Sequence, residues 1–133
     1  MSLDDPNKDA YARGKAFTED TNPGMEDALH ARYDALLPGL ARDLVEQNGR
    51  IYTRGVLDQK TRELLTIAAL AAMGAQTRPQ LKIHVAAARK LGASREEVAE
   101  AIYQMSLYGG MPAMFNGLNA ALEVFAAEET ADG

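Results

Sequence analysis

The stretch KTRELLTIAALAAMG, from Lys60 to Gly74, decides the fold class of this chain. After Glu63 almost every residue in it is apolar, and a helix that is apolar nearly all round is usually a buried, central one. Asp58 is a good N-cap in front of the stretch, and the glycine at its end is a common helix stop. We therefore expect a central helix, Gln59 to Met73, in an all-α fold.

Five further helices are predicted on either side of this central helix. Apolar residues recur at helical spacing, and prolines, glycines and polar N-caps set the expected ends. The expected segments are 9–17, 25–47, 79–91, 95–108 and 112–125. Pro38 should kink or split the second helix near Leu37, and Asn48-Gly49 should close it. No segment alternates with period two for long enough to indicate a strand, so the sequence predicts an all-α bundle of about six helices.

Three of these helices carry apolar stripes that we expect to face a common core. Ser94 and Glu97 form a capping box ahead of the fifth helix. The expected inward positions are Leu81, His84, Val85, Ala88 and Leu91 in the fourth helix, Val98, Ala101, Ile102, Met105 and Tyr108 in the fifth, and Phe115, Leu118, Leu122 and Phe125 in the sixth.

Length and composition limit the class of protein further. The 133 residues have the size of one ordinary domain, so we expect a single domain with an N-terminal helical arm (1–50) that packs on another subunit and a core (51–127). The net charge of -5 argues against nucleic acid or an anionic membrane as the main partner. The chain has no cysteine, its first residues lack the features of a signal peptide, and its longest apolar run is too short to span a bilayer. We therefore expect a cytoplasmic protein.

Several short motifs, in this order, resemble the carboxymuconolactone decarboxylase family, which includes the alkyl hydroperoxidase D branch. The motifs are Gly55-Val-Leu-Asp58, Lys60-Thr-Arg62, His84, Gly92-Ala-Ser-Arg-Glu-Glu97 and Tyr108-Gly-Gly-Met-Pro112. The resemblance implies an all-helical, alkyl hydroperoxidase D-like bundle that assembles as a homo-oligomer, a trimer or hexamer. It also implies a lyase that decarboxylates 4-carboxymuconolactone, a small anionic lactone, without a cofactor in the degradation of aromatic compounds.

Two departures from the family patterns bear on the chemistry. The alkyl hydroperoxidase D branch carries cysteines seven and four residues before its histidine, where this chain has Thr77 and Gln80. A thiol peroxidase mechanism is therefore disfavoured, because no thiolate is available. Glu63 is more typical of that branch than of the decarboxylases, which leaves the substrate open.

His84 and Glu63 are the candidate catalytic residues. An imidazole exchanges protons near neutral pH, and the resemblance favours His84 as acid/base over the alternative of a hydrogen-bonded core histidine. Glu63 lies in the predicted central helix, at the point where polar residues give way to apolar ones. We therefore expect its side chain to be half-buried. It could orient His84 or act as a base, or it could simply pair with Arg62 or Lys60 and favour the helix dipole.

The candidate substrate-binding residues are Arg62, Tyr108 and Gly110. Arg62 could hold a substrate carboxylate through a bidentate fork, and the turn containing Tyr108 and Gly110 could form a pocket wall, although it could equally be an ordinary helix–helix turn. Further basic residues could either bind the substrate or lie on a solvated surface: Lys60, Lys82, Arg89, Arg50 and Arg54. No metal site is expected, because His30, Glu63 and His84 lack the spacing of ligands. The alternatives to the decarboxylase are another cofactor-free acid/base enzyme, such as an isomerase or lactone hydrolase, and a non-catalytic helical binding scaffold.

Overall fold

The computed structural model describes residues 5–132, and within this range every regular element is a helix. The prediction of an all-α bundle is confirmed. The elements are α1 (Ala10–Thr21), α2 (Met25–Tyr33), α3 (Leu40–Tyr52), α4 (Gln59–Met73), a 3-10 turn (Ala75–Thr77), α5 (Arg78–Lys90), α6 (Arg95–Gln104), α7 (Ser106–Gly109) and α8 (Met111–Asp132). They belong to two compact units, an N-terminal unit ending at Gln59 and a C-terminal unit beginning at Lys60. Whether the chain acts as one domain stays a prediction.

The N-terminal unit is built on the close contact of α1 with α3. Gly14 and Gly49 lie at this contact, where a Cβ atom on either one would overlap a backbone carbonyl of the other helix. Glycine is therefore required by the separation of the two backbones rather than by a turn. The prediction that Asn48-Gly49 ends a helix is wrong for this reason, since α3 continues to Tyr52.

The predicted second helix is split rather than kinked. It ends at Tyr33, and a new helix starts at Leu40, after Pro38 and after Gly39 in a left-handed conformation with φ of 89°. Proline cannot donate the backbone hydrogen bond that a continuous helix needs, which explains the break.

The core of the C-terminal unit lies among α4, α5, α6 and α8. Its buried apolar residues form one cluster: Ile67, Ala71, Leu81, Val85, Ala88, Ala93, Val98, Ile102, Met114, Ala120, Ala121, Val124 and Phe125. The capping box is confirmed, because Ser94 Oγ accepts a hydrogen bond from the Glu97 amide and a Glu97 carboxylate oxygen accepts one from the Ser94 amide, both at 2.9 Å. The Ser94 amide and Lys60 hold the pKa of the Glu97 carboxyl below its usual value.

Several residues predicted to face the core are exposed instead. On α4 only Glu63, Ile67 and Ala71 are buried, so this helix buries one side rather than its whole circumference. On α8 the buried side holds small residues such as Gly117 and Ala120, while Phe115 and Leu122 of the predicted stripe point to solvent. The reason is the close approach of the helices at this point: a Cβ on Gly117 would lie 2.9 Å from Ile102 Cγ2, which leaves no room for a bulky side chain at that position.

A cluster of charges fixes α8 to α5 and α6. Arg89 Nε donates to a Glu128 oxygen at 2.9 Å, and Arg95 contacts the same carboxylate at 3.4 Å. Both guanidinium groups also lie over the ring of Phe125. The hydrogen bonds from Arg89 hold the pKa of the Glu128 carboxyl below its usual value, so this cluster favours the charged carboxylate.

Across residues 5–132, none of the helices combines the length and the apolar character that crossing a membrane requires.

Candidate functional site

The centre of the candidate site is a direct contact between Glu63 and His84. Glu63 Oε2 lies 2.7 Å from His84 Nδ1, which joins the first half of α4 to the middle of α5. Glu63 lies on the buried side of α4, one turn before Ile67, and His84 is next to the buried Val85. The helical spacing therefore directs both side chains into the same part of the C-terminal unit.

The two partners differ sharply in burial. Glu63 is 1% exposed, so the prediction that it is half-buried is wrong. The His84 side chain keeps 28% of its surface exposed, so it lies between this carboxylate and the surface. A buried carboxylate is costly unless it has a hydrogen-bonding partner, and His84 supplies one.

The charge of Glu63 decides which histidine nitrogen donates. An ionised carboxylate has only acceptors, so with Glu63 ionised Nδ1 carries the hydrogen in this contact. Nε2 is then the ring atom through which His84 can exchange a proton with another molecule. The Glu63 carboxylate can orient the His84 imidazole and balance the positive charge that the ring gains on protonation. A general acid/base needs both.

Arg62 lies beside Glu63 on α4 and is half-buried. Its backbone carbonyl accepts a hydrogen bond from Thr66 at 3.0 Å, as part of the helix. Neighbouring positions on a helix point in directions about 100° apart, so the two side chains leave α4 differently. The role of Arg62 in holding a carboxylate stays a prediction.

The other lysine and arginine candidates of the C-terminal unit form ion pairs elsewhere. Lys60 binds Glu97 at 3.1 Å, so it does not take Glu63 as the partner that the sequence offered. Lys82 contacts Glu123 at 3.0 Å and Arg89 contacts Glu128, both on α8. These cations hold helices together, and no spacing in the sequence signals these partners, which are more than thirty residues away.

Tyr108 and Gly110 lie at the junction of α7 and α8. The Tyr108 side chain is 76% exposed, which corrects the prediction that it faces inward. Gly110 has a φ of 90° and ends α7, so the glycine permits the turn. The neighbouring Gly109 is required by packing, because a Cβ there would lie 2.6 Å from the carbonyl oxygen of Ala72. No described hydrogen bond joins the Tyr108 side chain to Glu63 or His84, and its part in a pocket wall stays a prediction.

Thr77 has a structural role that the sequence did not reveal. Its buried hydroxyl donates to the carbonyl oxygen of Gly74 at 3.0 Å and to that of Leu70. These carbonyls lie at the end of α4, where backbone acceptors lack partners within the helix. Thr77 therefore caps α4, at one of the two positions where the related thiol enzymes carry cysteine.

Comparison with known proteins identifies the family of this chain. The model of the carboxymuconolactone decarboxylase family matches residues 38–123, a range that contains Glu63, His84, Arg62, Tyr108 and Gly110. The chain belongs to the carboxymuconolactone decarboxylase family. The resemblance inferred from the motifs is thereby confirmed.

Two relatives illustrate how far the similarity reaches. The chain is 39% identical over 117 residues to an uncharacterized 15.0 kDa protein of Paracoccus denitrificans, from the nqo9-nqo10 intergenic region, and the match covers 87% of each chain. It is 38% identical over 77 residues to a 4-carboxymuconolactone decarboxylase of Acinetobacter baylyi, which covers 58% of this chain and 56% of that enzyme. The chain thus spans little more than half of the relative whose activity is named.

Proposed function

We propose that this protein is a cofactor-free carboxy-lyase that decarboxylates 4-carboxymuconolactone, or a closely similar small anionic lactone, in the cytosolic degradation of aromatic compounds. The observation that carries the proposal is the 2.7 Å contact between the buried Glu63 and His84. Family membership and the similarity to a named decarboxylase support the same reaction class.

The substrate provides its own electron sink in this reaction. The departing carboxylate lies on the carbon γ to the lactone carbonyl, across a carbon–carbon double bond. When the bond to CO2 breaks, its electron pair moves through that double bond onto the carbonyl oxygen and forms a dienolate. The enzyme must then stabilise the oxygen and protonate the α-carbon.

His84 and Glu63 fit the proton-transfer part of this sequence. His84, in its protonated form, would deliver the proton from Nε2 to the α-carbon while Nδ1–H stays bound to Glu63. The neutral ring regains a proton from solvent through its exposed part, so that each turnover consumes one proton and releases one CO2. Arg62 is the proposed anchor for the carboxylate that remains on the substrate, and Tyr108 and Gly110 are the proposed pocket wall.

The experiment measures CO2 release from 4-carboxymuconolactone by the wild-type protein and by His84→Ala. The chain contains a second histidine, His30, which lies on α2 and pairs with Asp34 at its surface, so His30→Ala is the matched control. We expect His84→Ala to lower kcat by ~10²–10⁴-fold and His30→Ala to leave it unchanged.

Two results would contradict the proposal. A folded wild-type protein that releases no CO2 would exclude this lactone as the substrate. Full turnover by a folded His84→Ala variant would remove His84 from the mechanism and leave decarboxylation to other groups.

A second candidate is an isomerase or lactone hydrolase with the same two residues. It is favoured by the burial of Glu63, because a carboxylate–histidine pair can take up a proton from carbon or water as well as deliver one. Incubation with unsaturated lactones that lack the γ-carboxylate separates the two candidates, since only the second predicts turnover of these compounds.

A further inference from the structure

A cavity of about 680 Å³ belongs wholly to the N-terminal unit, whereas Glu63 and His84 belong to the C-terminal unit. Its walls come from the second half of α1, the end of α3 and the loop that follows α3. Small-molecule sites in proteins have volumes of about 300–1,000 Å³ and combine apolar walls with a few fixed polar groups. The cavity has the size of such a site, and its walls indicate which ligand it would take.

Arg13 places a positive charge at the cavity wall without forming an ion pair among residues 5–132. Its Nε donates to Thr53 Oγ1 at 2.9 Å, and its Nη2 donates to the backbone carbonyls of Pro6 at 2.8 Å and Gly49 at 3.3 Å. All three acceptors are uncharged, and none of these bonds uses Nη1. An arginine that is already fixed in this way binds a carboxylate with little further loss of side-chain freedom.

The cavity also has an apolar wall. The half-buried ring of Tyr52 stacks on the buried ring of Phe17, with ring centres 4.9 Å apart and planes inclined by 21°. Leu57, which is 40% exposed, lines the same cavity. Because Phe17 supports the Tyr52 ring from one side, Tyr52 presents a rigid aromatic surface, which packs well against another flat ring.

We propose that this cavity binds a small molecule that combines one carboxylate with a flat apolar ring. Arg13 would bind the carboxylate through its guanidinium fork, and Tyr52 would contact the ring. Such a site does not depend on the decarboxylation proposed above, because it uses no residue of the Glu63–His84 pair.

The other charged residues of the cavity limit the charge of the ligand. Arg54 lines the wall and adds a second cation, while Asp20 and Asp58 line it as well. A second negative charge on the ligand would be repelled by these carboxylates. The cavity should therefore select a monocarboxylate over a dicarboxylate or a phosphate ester.

The test titrates the full chain with benzoate by isothermal titration calorimetry. Benzamide has nearly the same shape without the charge, and phthalate adds a second carboxylate. Arg13→Lys keeps the positive charge but removes the planar fork. The matched control is Arg50→Gln, since Arg50 lies on α3 in the same unit but bonds to Asn7 and Glu46 instead of lining the cavity.

We expect saturable binding of benzoate with a dissociation constant of about 1 mM or lower, and much weaker binding of benzamide and phthalate. Arg13→Lys should raise the benzoate constant about 10-fold or more, and Arg50→Gln should leave it unchanged. Arg13 also ties α1 to α3, so circular dichroism checks the fold. If Arg13→Lys does not fold, Arg54→Gln replaces it, with an expected increase of about threefold or more.

Three results would overturn the proposal. The first is the absence of saturable benzoate binding up to about 20 mM. The second is equally tight binding of benzamide or phthalate. The third is unchanged binding by a folded cavity variant. His84→Ala identifies the site in that case, because benzoate that binds beside the Glu63–His84 pair would be lost from His84→Ala and retained by Arg13→Lys.

Discussion

Replacement of Glu63 by glutamine separates a catalytic carboxylate from a structural one. Glutamine has nearly the same shape, and its amide can still form one hydrogen bond with His84 Nδ1, but it has no negative charge. Because Glu63 is almost completely removed from water, the loss of its charge has two opposing consequences for the free energy of unfolding.

The first consequence is a weaker hydrogen bond. A bond to a charged group contributes about 1.5–3 kcal/mol and a neutral one about 0.5–1.5 kcal/mol, so the exchange costs roughly 1 kcal/mol. The second consequence is stabilising, because the variant no longer buries a carboxylate, whose desolvation costs several kcal/mol. His84 keeps contact with solvent and can be neutral, so the variant leaves no isolated buried charge. We therefore expect the free energy of unfolding of Glu63→Gln to be at most about 1 kcal/mol lower than that of the wild type. It exceeds the wild-type value where the relief of desolvation outweighs the weaker hydrogen bond.

The same substitution should impair turnover strongly. An amide can donate to Nδ1 as well as accept from it, so the histidine tautomer is no longer fixed and the charge on a protonated ring is no longer balanced. We expect kcat for the proposed decarboxylation to fall by ~10²–10⁴-fold, which corresponds to about 3–5 kcal/mol in the barrier.

The two assays are urea unfolding followed by circular dichroism, and CO2 release under saturating substrate. Glu97→Gln is the matched control, since Glu97 also binds a partner across helices, Lys60, but lies outside the candidate site. This control keeps its capping box, because glutamine can accept the same hydrogen bond from the Ser94 amide, so it loses only the ion pair with Lys60 and should keep its turnover. A Glu63→Gln variant that is severely destabilised but turns over substrate normally would refute the reasoning and make Glu63 a structural residue.

Two further predictions concern the framework. Gly14→Ala should lower the free energy of unfolding by about 2 kcal/mol or more, because the new Cβ would overlap the carbonyl oxygen of Val45. Ala12→Gly, on the exposed side of the same helix, should lower it by about 1 kcal/mol or less. Urea unfolding compares the two variants. Glu128→Gln should cost about 1 kcal/mol near neutral pH. Since Arg89 lowers the folded-state pKa of Glu128, that stabilisation is complete above the unfolded pKa and disappears as the pH falls through the folded one, so unfolding curves of the variant and the wild type should converge in acid and diverge at neutral pH.

The sequence predicted the helices well where a local signal marked their ends. The capping box at Ser94 and Glu97 and the bounds of α4 were predicted correctly, because a cap or a stop depends on residues a few positions away. The end of α3 was missed because Gly49 has its reason in another helix, where it meets the backbone near Ala10. A glycine required by helix packing and a glycine that ends a helix are indistinguishable in the sequence.

The sequence likewise predicted some features of the candidate site and missed others. Helical spacing and the family motifs were sufficient to single out Glu63 and His84, and the two side chains do meet. The full burial of Glu63 was missed, because a residue in the first turns of a helix is normally near its solvated end. The partners of Lys60 and Lys82 could not be predicted either, since Glu97 and Glu123 are brought to them only by the packing of separate helices.

The apolar stripe of α8 shows what a hydrophobic pattern does and does not establish. Phe115 and Leu122 have the spacing of core residues, but the single chain leaves them exposed because smaller residues occupy the close contacts of α8. A stripe of this kind indicates burial without saying which surface covers it, and a second copy satisfies the pattern as well as the chain's own core does. Tyr108 is exposed as well, so a second copy that covers both side chains would also enclose the residue proposed as a pocket wall. If Phe115→Glu weakens both association and turnover while Leu36→Glu, the same change at an exposed apolar residue of the N-terminal unit, alters neither, assembly and the candidate site depend on the same part of α8.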